Sequence, residues 1–239
     1  MSNFSNSIRD CSRGLIMGNN IANPNQKVDV TAAEIILLDS AGDPFLAVNM
    51  NVIIDITRNG ANGLDAGAEA PNQWYYIWII AHPPGQVAGL LSLSPDNPTL
   101  PAGYSFKAFA GAIQNDGASN FCPMNQVGRI VARNAVAVLN SGIATVATAV
   151  DCSSALPAKA GKAIGDFTLN LGVGGGRGEG WLRSKPNQGV IGFAGYLNTP
   201  DYLTTPFSLP VIEPQTLYYN RNAASNATSA TISISGFEF

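Results

Sequence analysis

Short apolar runs separated by turn residues form the dominant pattern along this chain. In Thr231–Ser235, isoleucine alternates with threonine and serine. Alternation at period two is typical of a strand with one buried face and one solvated face. Six other runs are rich in β-branched, aliphatic or aromatic residues: Glu34–Leu38, Val52–Thr57, Trp74–Ala81, Ala135–Leu139, Ala144–Val150 and Phe167–Leu171. Together these runs predict an all-β protein.

Turn residues and the lack of helical periodicity refine that prediction. The chain contains 25 glycines and 15 prolines, which interrupt the apolar runs throughout. No amphipathic pattern of about 12 residues, the length of an ordinary helix, is found. Regular turns between short strands are typical of sandwiches. We therefore predict an antiparallel β-sandwich of jelly-roll-like type.

A change of sequence character near residues 132–136 suggests an internal boundary. It predicts a first β-sandwich domain over 27–133 and a C-terminal β-sandwich domain over 134–239. About a hundred residues are enough for a small sandwich. Composition leaves open whether these halves are two small domains or one continuous sandwich.

The N-terminal residues 1–26 differ from the rest because they are rich in asparagine and poor in strand formers. This composition fits either a frayed terminus or an arm that orders against another subunit. Leu15, Ile16 and Met17 form an apolar cluster that a frayed end would leave exposed. We therefore predict that the segment is an assembly arm and that these three residues make its contacts.

Charge is scarce in the chain. Of its 239 residues only 12% are charged, 46% are hydrophobic, and the formal net charge is −3. Disordered chains are rich in charge and poor in aliphatic residues, and nucleic-acid binders need a basic face, so both classes are disfavoured. Much of the surface must be uncharged polar or buried against other copies of the chain.

Membrane and thiol chemistry are also poorly represented. The apolar run Trp74–Ala81 is far shorter than the ~20 residues that span a bilayer as a helix, and the N-terminus lacks the pattern of a secretory signal. Cys11, Cys122 and Cys152 show no CxxC spacing. We expect reduced thiols, synthesis in a reducing cytoplasm, no membrane insertion and no metal site.

Candidate catalytic groups are few. His82 is the one histidine, no serine lies in a GxSxG sequence, and we expect neither catalytic residues nor a cofactor. The run Gly172–Gly180 lacks the Lys-Ser/Thr of a phosphate-binding loop, so it predicts a flexible hairpin or bulge. Arg177 and Glu179 at its tip are then candidate partner contacts. Tyr196 and Tyr202 are further candidates because exposed tyrosines stack on sugars.

Several segments, taken in order, resemble a family of bacteriophage and prophage virion proteins described as tail-fibre or receptor-binding-like proteins. The likeness covers nearly the whole chain from about Gly14 onward. Its segments are Gly63–Gly67 followed by Trp74–Ile80, Gly89–Ser94 running into Pro98–Tyr104, Gly111–Gly117 with Phe121, Gln215–Tyr219, and Ser233–Phe239.

The resemblance implies a β-rich virion component, often homotrimeric and without catalytic residues. It predicts a tail-fibre or tail-tip receptor-binding subunit, made in the host bacterial cytoplasm and located in the virion. The expected partners are further copies of the chain, other tail or capsid proteins, and a host surface glycan or protein. Loops around Gly174–Gly180 and Asn198–Thr205 are expected to face the host.

Two other functions remain open at this point. A capsid decoration, head-fibre or minor capsid protein could use the same fold to stabilise the shell. A glycan-degrading virion enzyme would need two carboxylates in one cleft, with Asp96, Asp116 and Asp201 as candidates.

Overall fold

The computed structural model describes residues 12–172, 176–197 and 202–239. Within these ranges the chain forms seventeen strands and no helix, so the prediction of an all-β fold is confirmed. The strands are β1 (Ser12–Arg13), β2 (Ile16–Asn19), β3 (Lys27–Leu38), β4 (Pro44–Asp55), β5 (Gly63–Leu64), β6 (Trp74–His82), β7 (Gln86–Ser92), β8 (Phe106–Gln114), β9 (Met124–Val127), β10 (Ile130–Gly142), β11 (Thr148–Asp151), β12 (Lys162–Leu171), β13 (Gly176–Lys185), β14 (Gln188–Leu197), β15 (Tyr202–Pro210), β16 (Thr216–Arg221) and β17 (Ala227–Glu238).

The chain divides into two compact units between Arg133 and Asn134, inside β10. The first unit also includes the last residue, Phe239. Because residues 12–26 belong to the first unit, the structure does not set them apart from 27–133. The assignment of 27–133 and 134–239 as separate domains stays a prediction.

The first unit is built from two layers of strands. In one layer, β3 pairs with β4 along one edge and with β1 and β2 along the other edge. The same layer continues because β2 pairs with β9, and β9 pairs with the start of β10. In the other layer the order is β8, β6, β7, with the short β5 parallel to β7. All other pairings are antiparallel. This is the arrangement of an antiparallel sandwich.

Glycines let the two layers of the first unit approach closely. A Cβ on Gly89 would lie 2.3 Å from Cγ1 of Ile54, and a Cβ on Gly111 would lie 2.3 Å from Cε of Met17. Each pair joins a strand of one layer to a strand of the other. The largest fully buried side chain of this unit is Trp78, whose ring lies edge-on to Phe109 at a centroid distance of 5.5 Å. The core of this unit is therefore closely packed.

The second unit has two layers as well. One layer has the order β15, β12, β17, and the other has the order β11, β16, β13, β14, with antiparallel pairing throughout. Phe167 from the first of these layers meets Phe193 from the second at a centroid distance of 4.8 Å. Both side chains are buried. The prediction of a β-sandwich thus agrees with the layering inside each unit.

The N-terminal segment is part of the first unit's sheet and differs from the predicted arm. Leu15 and Met17 are each only 2% exposed to solvent, whereas Ile16 is 53% exposed. Strand alternation explains this, because neighbouring residues point to opposite faces. The assembly role predicted for Leu15 and Met17 is wrong, since both fill the core of their own chain. Residues 1–11 of the predicted arm lie outside the described residues.

The glycine-rich run also differs from its prediction. Gly176–Gly180 opens β13 and is not a flexible hairpin, while residues 173–175 lie outside the described part. Gly178 and Gly180 face inward, where a Cβ would lie 2.5 Å and 3.0 Å from Cδ2 of Leu171 and Leu169 respectively. The glycines are present because leucines from the opposite layer occupy the space of their side chains.

Asp55, at the end of β4, has a carboxylate held by several donors. The hydroxyl of Thr57 donates to Oδ1 over 2.6 Å, the amide of Thr57 donates to the same oxygen, and Nζ of Lys27 lies 3.3 Å from Oδ2. Burial raises the pKa of Asp55, but the bonds from Thr57 and Lys27 outweigh it and leave the pKa below its usual value. The ionised form is therefore favoured by folding.

Stability is expected to fall in acid for this reason. Because the folded-state pKa of Asp55 is lowered, its contribution is complete above the unfolded pKa of 3.8 and is lost as pH falls through the folded pKa. We expect Asp55→Asn to cost about 1.5–3 kcal/mol of unfolding free energy at pH 7 and much less at pH 2. Urea unfolding at several pH values measures this. Asp43→Asn, which removes an exposed carboxylate, is the control; an equal cost of Asp55→Asn at both pH values would contradict the assignment.

Candidate functional site

The four predicted contact residues lie in strands, with none at a loop tip. Arg177 and Glu179 are in β13, Tyr196 is the penultimate residue of β14, and Tyr202 opens β15. Arg177 lies directly opposite Tyr196 in the register. The first three therefore share the outer face of one sheet, whereas Tyr202 belongs to the other sheet of the unit. Their binding role stays a prediction, and residues 198–201 of the predicted host-facing loop lie outside the described residues.

Strict alternation along β13 creates this outer face. Gly178, Gly180, Leu182 and Ser184 are buried, and the residues between them are exposed or half-buried. We call the outward set on β13 and its neighbours the aromatic face; its members are Arg177, Glu179, Trp181, Arg183, Tyr196, Tyr218, Asn220 and Asn222. The face combines two chemistries, flat rings and groups that donate or accept hydrogen bonds.

Trp181 lies at the centre of the aromatic face. It is opposite Gly192 on β14 and opposite Asn220 on β16. A Cβ on Gly192 would lie 3.4 Å from both Cδ1 and Nε1 of Trp181, so the indole lies against a position that has no side chain. The guanidinium of Arg183 is 5.9 Å from the centre of the ring. The ring is half-buried, so one part of it remains accessible to a partner.

Polar contacts fix the groups around Trp181. Arg183 donates from Nε and Nη2 to Oδ1 of Asn220, over 3.3 Å and 3.0 Å. Asn222 donates from Nδ2 to Oε2 of Glu179 over 2.7 Å, and Arg177 lies 3.3 Å from the same oxygen. These bonds leave further donors of both arginines directed away from their partners, because a guanidinium carries five N–H groups.

Tyr218 extends the face on β16, opposite Arg183. Its hydroxyl donates to Oε2 of Glu213 over 2.6 Å. This bond to a carboxylate, with a smaller contribution from burial, raises the pKa of Tyr218. The phenol is therefore neutral at ordinary pH and is oriented by Glu213.

Sequence reasoning found the two ends of this face and missed its centre. Trp181, Arg183 and Asn222 were not among the predicted contacts, and neither was Asn220, which is only 7% exposed and serves the face by holding Arg183. The available clue was the period of two in 177–185, where small or aliphatic residues alternate with charged and aromatic ones. It was hidden because the glycines suggested a loop. Tyr219, by contrast, is buried at 4% exposure and cannot meet a partner.

A second surface lies on the outer side of the first unit. Large aliphatic side chains, each 38–66% exposed, project there from five neighbouring strands. We call this set the apolar face. Its members are Ile16, Ile36, Leu46, Val48, Ile53, Val127 and Ile130. Exposed aliphatic side chains grouped on one face, here with Asp29, Thr31, Glu34 and Asn51 between them, mark a candidate interaction site. Ile16, predicted as an assembly contact, belongs to it.

Other candidate chemistry is dispersed. The ring of His82 packs on Tyr104, with 5.9 Å between centroids, beside the Pro83–Gly85 turn. The carboxylate of Asp116 accepts from the amides of Asn120 and Ala118 in its own turn, which lowers its pKa. Within 12–172, 176–197 and 202–239, no three His, Cys, Asp or Glu residues are grouped as metal ligands. Asp201 lies outside these ranges.

Two of the three cysteines are described, and both are free thiols. Cys152 is fully buried, and burial raises the pKa of its thiol to about 12. Cys122 is half-buried, and burial raises its pKa as well. Thiolates are the reactive form of cysteine, so neither position suits nucleophilic chemistry.

Comparison with models of known protein families and with curated protein sequences finds no match. In the part of the chain that the structure describes, no helix has the length and apolar character that a membrane crossing needs. The two surfaces are therefore the features of the chain that bear on its function.

Proposed function

We propose that this chain is a structural subunit of a phage virion, a tail-fibre or tail-tip protein that attaches the particle to its host. The aromatic face of the second unit carries the proposal. Its flat rings and fixed polar groups suit a surface that recognises another molecule, and it lies on a rigid sheet. The low charge and all-β fold support the proposal because they suit a compact particle component.

A host surface saccharide is the ligand class that this face fits best. Sugar rings present C–H groups on one side, which stack on aromatic faces, and hydroxyls around the rim, which bond to charged or amide side chains. Trp181 supplies the ring, and Arg177, Glu179 and Arg183 supply the rim. Aromatic and arginine residues are enriched where interfaces are strongest.

Replacing the aromatic residues of this face is expected to weaken attachment. Tyr196→Ala removes an exposed ring from the face, and Trp181→Ala removes its centre. We expect each to reduce binding of the purified protein to host cells by about tenfold to a hundredfold, since a central aromatic contact contributes 1.4–2.8 kcal/mol. Titration of fluorescently labelled protein on cells measures this.

Tyr202→Ala is the matched control, because Tyr202 is 64% exposed, close to the 71% of Tyr196, but lies on the other sheet. Because the proposal assigns the contact to the aromatic face alone, Tyr202→Ala is expected to leave binding unchanged, in contrast to the contact role that the sequence predicts for Tyr202. Equal losses for Tyr196→Ala and Tyr202→Ala would show that the aromatic face is not the contact. Absence of binding by the unaltered protein would contradict the attachment function itself.

A capsid decoration, head-fibre or minor capsid role is the second candidate. The apolar face of the first unit favours it, because a shell component needs extended contacts with neighbouring subunits. Antibody labelling of intact particles in electron micrographs separates the two functions. Label on the tail supports attachment, and label over the head supports the capsid role.

A further inference from the structure

The outer edge of β4 is an unpaired sheet edge within the described part of the first unit. β4 pairs with β3 from Pro44 to Asp55 along one side. On its other side, no strand of the described residues pairs with it. The first backbone bond there is at the far end, where the amide of Asp55 donates to the carbonyl of Asn62. A row of backbone donors and acceptors from Pro44 to Ile54 therefore faces outward.

This edge has only one of the features that normally prevent strand addition. Natural edge strands are short, carry lysine or an internal proline, contain a bulge, or are covered, and β4 has only an irregularity at Asn49. β4 is 12 residues long, it has no charged residue between Pro44 and Ile54, and its proline is at the first position. Leu46, Val48 and Ile53 are each at least 50% exposed along it. Such an edge pairs readily with another strand.

An irregularity in the middle of β4 determines which partner strand fits. Asn49 has a positive φ of 49°, and the side-chain alternation changes phase there: Leu46 and Val48 point outward before it, and Asn51 and Ile53 point outward after it. Opposed residues in an antiparallel pair must point to the same face. A two-fold copy of β4 meets this condition on both sides of the axis when Leu46 lies opposite Ile53 and Val48 lies opposite Asn51, while the irregular residues Asn49 and Met50 meet at the axis itself.

We propose that β4 pairs antiparallel with β4 of a second copy of this chain, about a two-fold axis. The pairing satisfies the open backbone edge and places the two apolar faces side by side. The absence of charge on the strand means that it meets its own copy without repulsion and offers nothing to a charged partner. This contact is independent of the attachment function, and it is two-fold where the resemblance implied three-fold assembly.

Ile53→Lys tests the contact, because it places a charge on the edge and opposite a hydrophobic residue of the copy. Asp29 lies directly opposite Ile53 on β3, so the new ammonium group gains a partner and the fold is expected to survive. We expect the unaltered protein to elute with twice the mass of one 24.9 kDa chain, and the variant to dissociate about a hundredfold more readily. Light scattering after size exclusion measures both.

Ile21→Lys is the matched control, because Ile21 is 96% exposed and lies in a turn away from the apolar face. It is expected to leave the mass unchanged. Circular dichroism melting of both variants separates loss of contact from loss of fold. If the unaltered protein is a monomer at high concentration, or if both variants behave alike, the proposal is wrong.

Cross-linking tests the register without depending on either lysine variant. In the double variant Leu46→Cys with Ile53→Cys, the cysteine at position 46 of one copy lies opposite the cysteine at position 53 of the other copy. Directly opposed residues of an antiparallel pair are close enough for a disulfide. Oxidation is expected to give a covalent dimer, and neither single variant is expected to give it. Cross-linking by the single variants would overturn this register. Strong hydrogen-exchange protection of 44–54 in a monomer would instead show that residues 1–11 or another segment of the chain cover the edge.

Discussion

Gly165→Ala is expected to destabilise the second unit by about 3 kcal/mol or more. A Cβ on Gly165 would lie 2.0 Å from the carbonyl oxygen of Ser233 and 3.0 Å from Cα of Ile234. Both atoms belong to the backbone of β17, so no side-chain rotation can relieve the contact. The register between β12 and β17 shifts between Ile164 and Gly165, so the ladder is irregular at this residue.

Urea unfolding followed by circular dichroism measures the loss as a lower midpoint. Gly85→Ala is the control, because no atom lies within 4 Å of its added Cβ. It is expected to change the unfolding free energy by less than about 1 kcal/mol. If Gly165→Ala proves as mild as Gly85→Ala, the close approach of β12 and β17 is incorrect.

Trp78→Ala is expected to cost the first unit about 3–5 kcal/mol. The side chain is 1% exposed, packs edge-on to Phe109, and lies 5.2 Å from Nζ of Lys107. Removing it leaves a cavity in the core of the unit, and the surrounding strands relax only in part. The lost dispersion contacts add to the lost burial.

Trp78→Phe separates packing from hydrogen bonding at the same position. In the described structure, Nε1 of Trp78 is buried and has no hydrogen-bond partner. Phenylalanine removes this unsatisfied donor while keeping an aromatic ring, so its cost is expected to be below half that of Trp78→Ala. Thermal and urea unfolding of the two variants give the comparison. Equal costs would show that the indole N–H makes a contact that stabilises the fold.

Sequence patterning was sufficient for the fold class because local alternation carries that information. Thr231–Ser235 shows the predicted burial, with Ile232 and Ile234 buried and the hydroxyl residues between them half-exposed. Ala144–Val150 was less accurate, since only its last three residues enter β11. Strand ends depend on which partner strand is present, and the pattern within one run does not contain that.

The errors about Leu15, Met17 and the glycine-rich run have a common physical cause. In each case the partner that decides the structure lies far away in the sequence. Met17 is buried because it meets Gly111 of β8, and Gly178 is part of a strand because Leu171 fills the space beside it. Local composition suggested an arm and a loop, since it contains no information on these long-range contacts.

The candidate site was predicted only at its margins for the same reason. Arg177, Glu179 and Tyr196 were found because exposed charge and exposed rings are visible in composition. Trp181 became part of the site only through its position opposite Gly192 and Asn220, which register alone determines. A sequence gives no register between strands, so the centre of the face was not identified.

The inward glycines of β13 have a consequence for how this protein could evolve. Because Gly178 and Gly180 contribute no side chains to the interior, the packing there depends on Leu171, Leu169 and Phe167 from the opposite layer. Substitutions at the outward positions of β13 therefore change the exposed chemistry without disturbing the core. These positions can therefore diversify in evolution while the scaffold stays unchanged.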